Sequence, residues 1–155
     1  AEFSWLGLGG GHRVVQLHGS ESPERCRQLR EALGPGIGLW KALRIRSRDD
    51  LEQAAAYAPV VDALLLDAWV PDQLGGTGHR IPIEWLSGFQ PPLPWWLAGG
   101  IRADRVAPAM EALAAAPPAG LDASSGVERA PGDKDLDRVA ALVAAVAAVR
   151  QDRPS

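Results

Sequence analysis

Apolar residues in this chain gather into short runs that alternate with stretches of helical spacing. The runs are Val14 to His18, Ile37 to Leu43, Ala63 to Leu66, Trp95 to Gly100 and Gly120 to Ser124. Runs of this length, bounded by turn residues, predict strands, and the unbroken Ala63–Leu66 stretch predicts one buried on both faces, as in parallel sheets. Between them, Ser22 as N-cap and Pro23 at the first helical position open a helix. It carries Cys26, Leu29 and Leu33 inward, and Gly34-Pro35-Gly36 stops it. Ser47 caps a second helix, with Asp49 and Asp50 in the first turn, where the positive end of the dipole favours them. Leu51, Ala54 and Ala55 are its inner stripe, and Pro59 ends it. Glu84 to Leu86 predicts a helical turn. A helix from about Ala103 turns Val106, Met110 and Leu113 to one face, with a kink expected at Pro108. Asp133 is expected to cap the last helix, with Leu136, Val139, Leu142, Val143, Val146 and Val149 on its buried side.

Strands alternating with helices specify an α/β fold with a parallel sheet and right-handed crossovers. A doubly wound sheet and part of a (β/α)₈ barrel both satisfy the pattern. The centre of the chain is Ala63 to Gly78, where the apolar strand runs into Asp67 and then a loop holding Gly75-Gly76-Thr77-Gly78. A carboxylate there stands where a sheet opens onto its loops, and the glycines let backbone approach a ligand closely. Taken alone, an aspartate after a strand is more often a turn cap. No GxGxxG or P-loop follows any strand, which weakens a nucleotide-binding reading. Gly99-Gly100 and Ser124-Ser125-Gly126 end two later strands in small residues. Barrels of this kind commonly build a phosphate site from backbone N–H groups at such ends.

The 155 residues suit one domain: 1–13 unpatterned, 14–150 the folded part and 151–155 a polar tail. With 46% hydrophobic and 23% charged residues the chain is globular. A net charge of −3 with no basic block argues against a nucleic-acid partner. No apolar run reaches the ~20 residues of a membrane span. Cys26, the lone cysteine, forms no internal disulfide and fits a reducing, cytoplasmic compartment. No His, Cys or Asp cluster has metal-ligand spacing, so no metal is expected. Trp40, Trp95 and Trp96 lie in strands and read as core. Arg25, Arg27, Arg30 and Arg44, Arg46, Arg48 read as solvated faces.

Val15-Gln16-Leu17-His18-Gly19, Leu65-Leu66-Asp67, Gly75-Gly76-Thr77-Gly78, Leu97-Ala98-Gly99-Gly100 and Asp122-Ala123-Ser124-Ser125-Gly126-Val127-Glu128, followed by Pro131-Gly132-Asp133-Lys134-Asp135, stand in an order that resembles the N-(5′-phosphoribosyl)anthranilate isomerase family, with a cyanobacterial cast. The resemblance runs from about Val14 to Val149. It implies a (β/α)₈ barrel and an Amadori rearrangement in tryptophan biosynthesis on a small phosphorylated substrate, without cofactor. It implies Asp67 as general acid, and Gly99, Gly100, Ser125 and Gly126 as backbone donors to the substrate phosphate. Asp122 matches a residue near the substrate hydroxyls, and His18 one close to the substrate. Gly76 and Gly78 match the loop that covers the ligand.

The matching units are the family's fourth to eighth, and residues 1–13 do not supply the first three, since a full barrel takes about 200 residues or more. With those units would go a cysteine that serves as general base and an arginine that holds the anthranilate carboxylate. Cys26, at a buried helical position, is expected to be core instead. Three readings stay open: a truncated isomerase, a half completed by another segment or by its own copy, and a non-catalytic sugar-phosphate-binding remnant. Indole-glycerol-phosphate synthase fits poorly, because Lys41 and Lys134 are the only lysines.

Overall fold

The computed structural model describes residues 13–68 and 80–151. Its centre is a parallel sheet of β1 (Val14–Leu17), β2 (Gly38–Ile45), β3 (Ala63–Ala68), β4 (Trp95–Leu97) and β5 (Gly120–Leu121), in that spatial order. Every neighbouring pair is parallel. Between them run α1 (Pro23–Leu33), a 3₁₀ segment Arg48–Gln53 leading into α2 (Ala54–Tyr57), α3 (Ile83–Leu86) and α4 (Ala103–Ala112). After β5 come a 3₁₀ turn Ser125–Val127, an antiparallel hairpin of β6 (Glu128–Ala130) and β7 (Asp133–Lys134), and α5 (Leu136–Gln151).

The strands sort their side chains by alternation. Leu39, Leu43, Ile45, Leu64, Leu66, Trp95 and Leu97 join Cys26, Leu29, Leu33, Leu51, Ala54, Leu86 and Leu113 in the main core, and Leu142 packs against it. Thus α1 to α5 all contribute to the layer on one face of the sheet. Ala42, Leu65 and Ala98, with Trp96, form a smaller cluster of their own, and their positions alternate with the first set, so it lies on the other face. Sequential strand order with helices on a single face is the arrangement of a barrel wall; a doubly wound sheet covers both faces. That settles the alternative the alternating pattern left open.

Local chemistry explains most element ends. The Ser22 hydroxyl accepts from the Arg25 amide at 3.2 Å, and Gly34 closes α1 at φ 72°. Several expectations need correction. The second helix begins as 3₁₀, and Ala55 is exposed, because only Leu51 and Ala54 reach the sheet. The cap of α5 is Asp135, whose carboxylate accepts from the amides of Asp137 and Arg138 at 3.0 and 3.2 Å; Asp133 is taken up by β7. No residue of α5 is fully buried, and Leu136 and Val143 are 74% and 63% exposed. The fourth and fifth strands stop at Leu97 and Leu121 rather than Gly100 and Ser124. Arg30 is not on a solvated face: it donates to the Ile37 carbonyl at 2.7 Å and pairs with Asp62. Among the described residues no helix is long and apolar enough to cross a membrane.

Candidate active site

The second face of the sheet carries polar groups at its carboxyl-terminal rim. Two residues beyond Leu65 on β3 is Asp67, and two beyond Ala42 on β2 is Arg44, its register partner. Asp122 follows β5 and His18 follows β1, each two residues on from a position of the same face. Burial pushes the Asp67 carboxyl above its ordinary range; the charge of His18, a hydrogen bond from the Ala68 amide and the Arg44 charge pull it back, while Asp122 adds to the rise. His18, Arg44 and Asp122 are exposed and Asp67 is half-buried. The four side chains are therefore one electrostatic group, spread over four strands.

One glycine turn borders Asp67 and a second follows β5. Gly99 and Gly100 have φ of 84° and 62°, the left-handed region that glycine adopts without strain. A Cβ on Gly99 would stand 2.9 Å from Ala68 Cβ and 3.2 Å from Asp67 Oδ1, so the missing side chain leaves room for the acid. A Cβ on Gly126 would lie 1.9 Å from the Ile101 carbonyl oxygen. The Ser125–Gly126 turn is thus seated directly against the Gly99–Gly100 turn. Arg105 donates to the Gly100 carbonyl at 2.9 Å, and Lys134 braces the other side through Ser124 O at 3.2 Å and Glu128 Oε1 at 2.6 Å.

Of the residues singled out from the sequence, His18, Asp67, Gly99, Gly100, Asp122, Ser125 and Gly126 all lie at this rim, and Gly76 and Gly78 lie outside the described residues. A cavity of about 510 Å³ opens on the helix side of the Gly99–Gly100 turn, lined there by Arg80, Leu97, Arg102 and Arg105. Asp67 is not part of its wall, which also carries Glu84 and Asp104. Sequence reasoning missed Arg44, although its spacing from Trp40 and Ala42 in a strand signals the same face. It also missed the anchor of the Gly19–Glu21 loop that follows His18. Lys41, 2% exposed, donates to the carbonyls of Gly19 and Ala42 at 2.8 Å and pairs with Glu21 at 3.2 Å. The Tyr57 hydroxyl holds the Glu21 carbonyl at 2.9 Å. Among the described residues no group of three or more His, Cys, Asp or Glu side chains could hold a metal ion.

A one-sided parallel sheet, with an acid and paired glycine turns at its carboxyl-terminal rim, belongs to the (β/α)₈-barrel class of folds. Residues 11–145 match the model of a family described as N-(5′phosphoribosyl)anthranilate (PRA) isomerase. The chain belongs to that family. It is 53% identical over 141 residues to the N-(5′-phosphoribosyl)anthranilate isomerase of Nostoc punctiforme, covering 91% of this chain and 65% of that protein. The phosphoribosyl anthranilate isomerase of Thermotoga maritima superposes with a TM-score of 0.72 at 30% identity, covering 88% of this chain and 62% of the other. A second solved isomerase, in complex with reduced 1-(o-carboxyphenylamino)-1-deoxyribulose 5-phosphate, gives a TM-score of 0.63 at 28% identity, covering 88% and 60%. The chain therefore spans roughly three fifths to two thirds of the length of these relatives.

Proposed function

We propose that this chain supplies the acid and the phosphate-binding portion of an isomerase that converts N-(5′-phosphoribosyl)anthranilate to 1-(2-carboxyphenylamino)-1-deoxyribulose 5-phosphate in tryptophan biosynthesis. The observation that carries the reading is Asp67: a half-buried carboxyl with a raised pKa, at the strand mouth, beside a glycine turn, in a member of this family. A carboxyl whose pKa burial raises keeps its proton to higher pH than an ordinary aspartate and can give it to the furanose ring oxygen. The C1′–O bond then breaks as the anthranilate nitrogen forms an iminium. A base takes the C2′ proton, and the resulting enaminol collapses to the ketose with no net redox change and no cofactor. Gly99, Gly100, Ser125 and Gly126 hold the phosphate through backbone amides, which stay fixed and need no lysine. Asp122 lies near the sugar hydroxyls and His18 close to the substrate, and Gly76 and Gly78 belong to the covering loop.

In this reading residues 14–150 are one partial-barrel domain corresponding to the fourth to eighth βα units, and the protein is cytoplasmic. The base comes from outside the described residues. Cys26 does not serve, because it is enclosed in the main core on the inner face of α1 and burial raises its thiol pKa. The exposed Leu136 and Val143 of α5, together with β1 and β5 edges that no described strand pairs, favour a second reading, a half-barrel completed by another segment or by a second copy.

The test is calorimetric titration with the reduced product analogue, paired with a turnover assay that follows loss of substrate fluorescence. The chain alone should bind the analogue and turn over nothing until a segment carrying a base is added. Failure to bind the analogue overturns the assignment. Turnover by the chain alone would place a base within these residues.

A further inference from the structure

Lys41 is a charged residue in an otherwise apolar row. On β2 it alternates with Leu39, Leu43 and Ile45, all in the main core, and it is 2% exposed. An ammonium has three N–H donors, and each finds an acceptor here: the carbonyls of Gly19 and Ala42 at 2.8 Å and Glu21 Oε2 at 3.2 Å. A fully bonded ammonium is a fixture and not a nucleophile. Packing does not call for it either, because drawing charges out of water is costly and an apolar side chain of like volume is often at least as stable.

What the lysine holds is the loop after β1. Its register partner Leu17 ends that strand, and His18 and the Gly19–Glu21 loop come next. Besides the two Lys41 bonds, the Tyr57 hydroxyl donates to the Glu21 carbonyl at 2.9 Å, and the Gly19 amide donates to the Glu21 carboxylate at 3.0 Å. The ammonium also stands 5.8 Å from the centre of the Tyr57 ring, whose π face favours a cation. These ties fall on Gly19 and Glu21, while the imidazole between them and β1 is exposed at the rim. Among the described residues β1 pairs with β2 alone, so its end takes its support from this one side.

We propose that Lys41 is a positioning residue: from the helix side of the sheet it fixes the Gly19–Glu21 loop and so sets where His18 stands against the bound sugar phosphate. The proposal deepens the isomerase reading above and rests on it. A hydrogen bond weakens within a few tenths of an ångström of its best length, so a group on an edge strand serves a ligand only while its backbone is held.

The experiment is a double-mutant cycle, read by calorimetric titration of reduced 1-(o-carboxyphenylamino)-1-deoxyribulose 5-phosphate. His18→Ala should weaken binding by about 3- to 10-fold, the contribution of one hydrogen bond. Lys41→Met, which keeps the stem and drops the ammonium, should weaken it by a similar factor. Once His18 is already alanine, Lys41→Met should add less than about a twofold loss, because the two changes remove one interaction. Tyr57→Phe removes a single hydroxyl and should show the same dependence on His18; it carries the test if Lys41→Met does not fold. Proton NMR of the ligand-free chain gives a second readout. The chain has three histidines, and the imidazole signal missing from His18→Ala identifies His18. That signal should shift or broaden in Lys41→Met and in Tyr57→Phe. Unchanged affinity, an unchanged His18 signal, or an equal loss with and without His18 overturns the positioning role. Wild-type affinity in His18→Ala overturns it as well, and leaves the phosphate site standing. If the wild type does not bind the analogue, the isomerase reading falls, and this one with it.

Discussion

Asp67 and Gly99 depend on each other. The acid is half-buried because the turn at Gly99 closes over it, and the turn can close because Gly99 carries no Cβ. A carboxyl whose folded-state pKa is raised adds most to stability when protonated, and that contribution is lost as pH rises through the raised value. Asp67→Asn should accordingly leave the protein as stable or more stable at neutral pH, read as an unchanged or higher Tm. In any assembly that turns over the substrate, the same change should lower turnover by roughly 10²–10⁴-fold, the share of a general acid. Phosphate-ester affinity should hardly move; parallel loss of binding and turnover would make Asp67 structural. Gly99→Ala should cost about 1–3 kcal/mol in urea unfolding, since it combines left-handed backbone with a Cβ driven against Ala68. At this scale the sequence spoke through motif: Asp67, Gly99 and Gly126 were legible as family positions. The contact of Gly126 with the Ile101 carbonyl was not, because it joins residues far apart in the chain through the fold alone.

Among the elements, the Arg48–Gln53 turn is held by a single buried carboxylate. Asp50 accepts from the amides of Arg46 and Ser47 at 2.7 and 3.1 Å, and from the side chains of Arg46 and Gln53 at 3.1 and 3.0 Å. The Arg46 guanidinium, above all, holds its pKa below the ordinary range. Stability from such a group is present above the ordinary aspartate value and is lost as pH falls through the lower folded-state value. Asp50→Ala should therefore cost about 1–3 kcal/mol at neutral pH, with the gap to wild type narrowing in acid. A gap of constant size would assign the loss to packing instead. The sequence announced this aspartate as a dipole partner, yet its bonds run backward to Arg46, which no helical pattern foretells. The α5 cap was misplaced for a related reason: Asp133 and Asp135 are both plausible caps, and only pairing with β6 withdraws the first. The stripe of α5 reads as a buried face in the sequence, but two of its six residues, Leu136 and Val143, stand exposed and the other four are only partly buried. Burial is a property of the partner as much as of the helix.

Across the whole molecule, protection should follow distance from the sheet edges. Leu64, Leu65 and Leu66 in β3 are at most 2% exposed and bonded on both sides, whereas among the described residues β1 and β5 have one neighbour each and Val14 is 42% exposed. Amide exchange should be slowest in β3 and at least about tenfold faster in β1 and β5. If β1 were as protected as β3, something would be covering its edge, and sedimentation would show whether it is a second copy. Strand order and the direction of the sheet were within reach of the alternating pattern. The side on which the helices lie was not, because each buried strand is apolar on both faces.

The bridge from Lys41 to the Gly19–Glu21 loop also gives the molecule a chemical clock. Only two lysine side chains exist in the sequence, and one of them, Lys134, is 46% exposed while Lys41 is sealed. An amine-acylating reagent should label Lys134 within minutes and reach Lys41 only when β2 parts from the loop after β1. The rate at which the peptide holding Lys41 becomes labelled, read by mass spectrometry, times that opening without any probe having to be engineered in.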